Sequence, residues 1–312
     1  MLSLVIPCYN EEENVENFYN ETVKAFKGKI ESYEFVFVDD GSKDKTLERL
    51  HKLVSEKTEN IQVLSFSRNF GKESAIYAGL NNARGDYACI IDADLQQRPE
   101  VVVEMMDIIT NNSDVDCVTA YQEKRRESKI MSAFKSSFYK IINRVSDVDF
   151  VNGASDFRLM NRAMIDAVLN MGEYHRFSKG IFSFVGFNTQ YIPYVAAERE
   201  NGESKWSFVK LLKYAFEGIV SFTSFPLKLA SYTGIISSVI SVIYLLVVVI
   251  QKLAFGINVP GYATIVVLLL LLGGLQLFCL GILGEYLAKV YDQVKNRPIY
   301  ILKEHITNSD NK

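Results

Sequence analysis

Residues 229–251 and 253–284 carry no charged side chain: 23 residues, then Lys252, then 32 more. A helix needs about 20 apolar residues to cross the hydrocarbon core of a bilayer. Each run is long enough to do so, and a lipid-exposed span must satisfy its backbone hydrogen bonds internally, so each is predicted to be a helix. The charges of the 312-residue chain concentrate before residue 229 and after 284. A mean hydropathy of +0.06 therefore averages a water-soluble part, residues 1 to about 225, with an apolar module.

Lysine and arginine set the predicted orientation. Lys205, Lys210, Lys213 and Lys228 precede the first run, and Lys289, Lys295, Arg297 and Lys303 follow the second. The short connection between the runs holds only Lys252, near its start. Positive charge favours the cytoplasmic side, which puts both termini inside and the loop around Pro260-Gly261 outside. Met1–Pro7 is apolar but too short for a signal peptide and runs at once into Glu11-Glu12-Glu13, so the soluble part is expected to stay in the cytoplasm.

Several classes are disfavoured. A net charge of −3 gives no basic field for nucleic acid. Cys8, Cys89, Cys117 and Cys279 are scattered without a CxxC pair, and His51, His175 and His305 do not cluster. Disulfides, zinc and a histidine metal site are not expected. Neither apolar run contains an ionisable residue, which argues against a conduction path; Gln276 and Ser241 read as helix–helix contacts. Gly273-Gly274, Gly281 and Gly284 allow close helix packing, within the chain or in a homo-oligomer.

The soluble part alternates short β-rich runs with amphipathic stretches. Strands are predicted at Leu2–Pro7, Tyr33–Val38, Ile61–Phe66, Tyr87–Ile91 and Val115–Ala120, with a late one at Gln190–Val195. Helices are predicted at Glu12–Phe26, Thr46–Val54 (capped by Ser42 or Asp44), Glu73–Ala83 and Glu100–Ile109, then from Ser128 through Arg144 and over 161–171. Phe150–Ser155 reads as irregular. Trp206–Phe225 reads as an interfacial helix, and the tail after Glu304 as disordered. The alternation predicts an α/β fold with a mainly parallel sheet, whose ligands bind beyond the carboxyl ends of the strands. Polar clusters at Tyr9-Asn10-Glu11, Asp39-Asp40, Ser67-Arg68-Asn69 and Asp92-Ala93-Asp94 would then share one rim. No GxGxxG follows the first strand, against a dinucleotide.

Asp92 and Asp94 at a strand end form an oxygen-donor pair for a hard cation, Mg²⁺ or Mn²⁺, shared with substrate phosphates. As a bare triplet, Asp92-Ala93-Asp94 is more often a solvated turn. Crowding Asp39 and Asp40 onto the same rim would be costly without a cation or a basic ligand, although a helix-capping turn also accounts for that pair. Arg68, Lys72, Arg199 and Lys205 are the basic groups placed to meet phosphate, the last two flanking a glycine loop able to close on a diphosphate. Asp156, read in isolation, is most simply a cap before a helix.

These stretches resemble the polyisoprenyl-phosphate glycosyltransferases of glycosyltransferase family 2, in particular the bactoprenol glucosyltransferase and dolichyl-phosphate mannose synthase types. The matching segments are Val5-Ile6-Pro7-Cys8-Tyr9-Asn10-Glu11-Glu12, Val38-Asp39-Asp40-Gly41-Ser42, Ser67-Arg68-Asn69-Phe70-Gly71-Lys72, Asp92-Ala93-Asp94-Leu95-Gln96, Asp156-Phe157-Arg158-Leu159, Gly202-Glu203-Ser204-Lys205 and Leu280-Gly281-Ile282-Leu283-Gly284-Glu285-Tyr286. The resemblance implies a GT-A (Rossmann-like) catalytic domain over 1–204, amphipathic interfacial helices over 205–228, two transmembrane helices over 229–290 and a cytoplasmic tail over 291–312, in a bacterial plasma membrane. It implies inverting, metal-dependent transfer of one sugar from a nucleotide sugar to polyprenyl phosphate. UDP-glucose is the favoured donor, with UDP-GlcNAc or GDP-mannose as alternatives; a non-catalytic nucleotide-sugar-binding regulator is the reading from another class. Pro7, Tyr9, Glu11, Val38 and Asp40 would line the nucleotide pocket. Asp92, Asp94 and Gln96 would hold metal and diphosphate with Ala93 between them, Arg199 and Lys205 would contact phosphates, and Asp156 matches the catalytic base. Gln97-Arg98 departs from the family, where an acidic residue or His precedes Pro. No QxxRW motif of the processive relatives is found.

Overall fold

The computed structural model describes residues 1–122, 154–196, 223–255 and 261–308. The predicted helix over 128–144, residues 206–222 of the one predicted over 206–225, and the glycine loop of 199–205 lie outside these residues.

In chain order the elements are β1 Leu2–Cys8, α1 Val15–Phe26, β2 Tyr33–Asp39, α2 Thr46–Glu56, β3 Asn60–Phe66, α3 Lys72–Asn82, β4 Tyr87–Ile90, α4 Pro99–Asn111, β5 Cys117–Gln122 and β6 Ala154–Asn161. Then follow α5 Arg162–Leu169, α6 Ser178–Phe184, β7 Thr189–Tyr194, α7 Phe225–Phe255, α8 Tyr262–Val294 and β8 Leu302–Thr307. The eight strands form one sheet in the order β7-β5-β6-β4-β1-β2-β3-β8. The pairs β1–β2, β1–β4, β2–β3 and β5–β7 are parallel, and β4–β6, β5–β6 and β3–β8 antiparallel. The fold is thus the expected α/β, GT-A-like Rossmann arrangement, with a mixed rather than uniform sheet.

Strand residues alternate between two apolar layers, as the period of two demands. Leu4, Ile6, Phe35 and Phe37 pack with α1, while Val5, Val36, Val38 and Ile90 pack beneath α3. On that second face α3 lies close to β1: a Cβ on Gly79 would stand 2.3 Å from Val5 Cγ1.

The strand order reverses at β1, which has β2 on one side and β4 on the other. Such a switch point opens a crevice at the carboxyl ends. The β1–β4 register ends at Val5↔Ile90, so Pro7, which has no N–H to give, falls where β4 has already turned away.

The structure corrects sequence expectations at Asp156, at the C-terminal tail and at Lys252. Asp156 does not precede a helix; it lies inside β6, so it caps nothing. The tail beyond Glu304 is not disordered through Asn308: Leu302–Thr307 is an edge strand on β3, and the Asn308 side chain accepts from Ile61 N–H at 3.1 Å. The alternation Leu302, Glu304, Ile306 was too short and too polar to read as a strand, and its partner lies some 240 residues away in sequence.

α7 and α8 are long and apolar enough to cross a membrane, their most apolar 18-residue stretches having mean hydropathies of 2.6 and 2.7. Lys252 belongs to the end of α7 rather than to a connection. Tyr286 of α8 donates to Thr223 O at 2.6 Å, just ahead of α7.

Candidate active site

The predicted rim exists. Loops after β1, β2, β3 and β4 meet at the switch point, and they are tied to one another before any ligand is considered. Asn10 (φ 56°) receives its place from both sides: its N–H donates to Ser42 Oγ at 3.0 Å and its side chain accepts from Lys43 N–H at 2.9 Å. Glu11 N–H donates to Thr46 Oγ1 at 2.8 Å, and Asn14 donates to the Glu11 carboxylate at 2.6 Å. Burial, then Asp94 and Asp92 nearby, raise the Glu11 carboxyl above its ordinary range. Tyr9 is exposed on the same rim.

Asp39 and Asp40 both serve the framework. Buried Asp39 accepts from Ser42 N–H at 3.1 Å and Ser65 Oγ at 2.9 Å. Asp40 accepts from Phe70 N–H at 2.6 Å, Gly71 N–H at 2.9 Å and Asn69 Nδ2 at 3.0 Å. Burial raises its pKa despite those donors. Gly41 (φ 65°) permits the close approach: a Cβ there would sit 2.5 Å from Arg68 C. Asp40 therefore holds the 69–71 loop, and that loop delivers Lys72 at the start of α3.

Lys72 is the centre of the site. Its Nζ lies 2.6 Å from Asp92 Oδ1 and 3.5 Å from Asp156 Oδ2. Strand register explains the meeting. In the antiparallel β4–β6 pair Ile90 faces Arg158, so continuing two residues brings Asp92 opposite Asp156. Burial lowers the lysine's affinity for its proton, but the two carboxylates outweigh it and hold Lys72 above its ordinary range. For Asp156, burial raises the pKa, and Lys72, Lys179 and Arg158 together pull it below the usual carboxylate value. Asp156 Oδ1 is buried with no hydrogen-bond partner among the described residues.

Several contributors were not legible in the sequence. Gln97, the position that departs from the family, clamps the first aspartate: its Oε1 accepts from Asp92 N–H at 2.9 Å and its Nε2 donates to Asp92 Oδ2 at 3.2 Å. Leu95 at φ 56° reverses the chain so that Gln97 can fold back. Glu73, raised by burial, accepts from the N–H of Ser178 at 2.9 Å and from its hydroxyl. Arg158 is buried against the Phe182 ring at 3.8 Å. Gln97 gave a signal as an irregularity in a known motif, Leu95 and Arg158 only as members of matching segments, and Glu73 none. Conversely, Val38 and Ala93 are buried in the core, where their side chains pack against other apolar groups. Arg199 and Lys205 lie outside the described residues.

Among the described residues no cluster of three or more His, Cys, Asp or Glu forms a self-sufficient metal cage. The donor set in the 92–96 turn is nonetheless of hard-cation type. Asp94 Oδ1 accepts from the backbone N–H of Gln96 at 3.1 Å, which folds the turn. Mg²⁺ and Mn²⁺ sites commonly use one or two carboxylates and complete the shell with phosphate and water. Asp92, Asp94 and Gln96 fit a site of that kind.

The described residues thus join a Rossmann-like domain, with acids and a lysine gathered at its switch point, to two helices long and apolar enough to cross a membrane. Comparison with known proteins is specific. Residues 3–169 match Glycosyl transferase family 2 and residues 225–290 match the GtrB C-terminal hairpin. The chain belongs to glycosyl transferase family 2, and it is a glycosyltransferase. It is 41% identical to CsbB of Bacillus subtilis (strain 168), named as a glycosyltransferase, across 99% of this chain and 94% of that one. It is 39% identical to the SfII prophage-derived bactoprenol glucosyl transferase of Shigella flexneri, across 97% of each chain. It is 38% identical to the prophage bactoprenol glucosyl transferase homolog of Escherichia coli (strain K12), across 97% and 98%.

Proposed function

We propose that the protein transfers one sugar, glucose from UDP-glucose, to polyprenyl phosphate at the cytoplasmic face of a bacterial plasma membrane, with inversion at the anomeric carbon. The observation that carries this reading is the Lys72 bridge between Asp92 and Asp156 at the switch point, in a chain that also holds the apolar hairpin. Near-full-length likeness to chains named bactoprenol glucosyl transferase supports the acceptor and the sugar. Pairing of β8 with β3 supports the topology: residues 302–307, beyond the second apolar helix, lie in the same sheet as the strands that precede the first, so if both helices span, the two lie on one side of the membrane.

In this mechanism Pro7, Tyr9 and Glu11 border the nucleotide, and Asp40 acts by holding the loop that presents Lys72. Asp92, Asp94 and Gln96 would hold Mg²⁺ or Mn²⁺, which when bound offsets the charge developing on the leaving diphosphate. Lys72 and, from outside the described residues, Arg199 and Lys205 bring positive charge to phosphate oxygens. A phosphomonoester is already mostly dianionic at pH 7, since its second pKa is about 6. The attacking oxygen thus needs little deprotonation, and a carboxylate held below its ordinary pKa is a weak base. Asp156 therefore orients the acceptor, through its link to Lys72, and stabilises positive charge on the sugar.

The test is purified protein incubated with undecaprenyl phosphate and UDP-glucose, UDP-GlcNAc or GDP-mannose, with and without EDTA, the lipid products being separated by thin-layer chromatography. A glucolipid formed only without EDTA is the expected result. Product from another donor reassigns the sugar, and no lipid product from any donor overturns the reading.

A further inference from the structure

The segment that leaves the second apolar helix is bonded to both loops that flank Lys72. Gln293, in the last turn of α8, accepts from Tyr174 N–H at 2.9 Å and donates to Gly172 O at 2.9 Å. His175 meets the Asp292 carboxylate at 2.9 Å. The loop these residues hold runs into Ser178, whose N–H and hydroxyl are fixed on Glu73, the neighbour of Lys72. Within the same loop Arg176 donates to Val168 O at 3.2 Å and to Met171 O, and its guanidinium stacks 4.4 Å over Tyr77 of α3.

Beyond α8, Asn296 (φ 48°) turns the chain back and Tyr300 docks at the root of the other loop. Its ring stacks on Phe66 at 5.0 Å and meets Tyr77 edge-on at 6.3 Å. Ser67 N–H donates to Ile301 O at 3.0 Å, and β8 follows directly. A mere tether between membrane and enzyme needs none of these contacts. Misplacement of reacting groups by about 1 Å can cost about 10²-fold in rate, so a fixed stand-off matters when the acceptor's phosphate is held at the depth of the lipid headgroups.

Accepting the acceptor assignment above, we propose that residues 292–301 are a rigid bracket that sets the height of the Lys72–Asp156 site over the bilayer, with Gln293 and Tyr300 as positioning residues for a membrane-held lipid phosphate. They touch neither donor nor acceptor; they act through the 171–178 and 66–72 loops. The bracket predicts a split between acceptors. A long-chain acceptor embedded in a bilayer is reached only if the stand-off is right, whereas a short-chain prenyl phosphate in free solution can diffuse to the site.

The experiment uses the full chain in lipid nanodiscs. Gln293→Ala, Tyr300→Ala and a two-glycine insertion between Asn296 and Arg297 are compared with the parent. KM is measured for undecaprenyl phosphate in the disc and for geranyl phosphate in solution, with UDP affinity measured separately. Loss of the two Gln293 hydrogen bonds is expected to raise KM for the embedded acceptor about tenfold. The insertion should do more, while geranyl phosphate KM and UDP affinity stay within about twofold. Gln293→Glu, which keeps the acceptor for Tyr174 N–H and loses the donor to Gly172 O, should fall between. Equal losses with both acceptors, no change with either, or collapse of UDP binding in all variants would overturn the bracket. If the parent transfers sugar to neither acceptor, it is the assigned function that fails.

Discussion

Replacing Asp156 by Asn tests how the site uses its buried carboxylate. The change keeps shape and removes one negative charge 3.5 Å from Lys72 Nζ. At an effective dielectric constant of about 20, a unit pair at that distance interacts by about 5 kcal/mol. The lysine side chain is 43% exposed and keeps Asp92 as a partner at 2.6 Å, so solvent screening reduces the loss. About 1–2 kcal/mol remains, or about 5–30-fold in rate. A strict general base would be worth about 10²–10⁴-fold. The assay is single-turnover transfer from labelled UDP-glucose to undecaprenyl phosphate, run across pH 5–9 for parent and variant. A fall of more than about 10²-fold, together with disappearance of the acid limb in the variant, would refute the orienting role and restore Asp156 as the base.

Related outcomes follow from the same geometry. The acid limb of kcat/KM should track the second ionisation of the acceptor phosphate, near about pH 6, and shift when a phosphonate analogue replaces it. Asp156 is held low, so its own contribution to stability is present above the unfolded carboxylate pKa of about 4 and is lost only as pH falls through the lower folded value; thermal unfolding between pH 5 and 8 should not register it. Lys72→Met leaves two carboxylates unbridged and should cost more than Asp156→Asn, above about 10²-fold in kcat/KM, with a measurable drop in melting temperature by calorimetry. Gln97→Leu removes both bonds that fix Asp92 and should weaken Mn²⁺ binding in the presence of UDP about 10-fold or more by electron paramagnetic resonance titration. Gly79→Ala places a methyl 2.3 Å from Val5 Cγ1 in the core and should destabilise by about 1–3 kcal/mol in denaturant titration.

Much of the fold was legible because its signals are local. The β1 and β2 runs are apolar and end in turn residues, and the α1 and α2 periodicities are strong; all fall within a few residues of their predicted ends. What escaped depends on distant partners. β8 is specified by an open edge on β3, and α6 is a short helix docked through Ser178 onto Glu73. The site was legible as a list of acids on one rim, but not as a wiring diagram. Asp40 reads identically whether it meets a base or holds a loop, and Lys72 reads as a phosphate contact although its nearest partners are Asp92 and Asp156. Register decides both, and register is a property of strand pairing rather than of either strand alone.

The position of β8 bears on biogenesis. Until the ribosome has made residues 302–307, β3 has a bare margin able to pair with another polypeptide. Everything between β7 and that last strand, including both apolar helices, must be synthesised first. Completion of the catalytic sheet therefore waits until both apolar helices have been synthesised, and a chain stalled or cleaved before Leu302 would be left with an adhesive flank on β3.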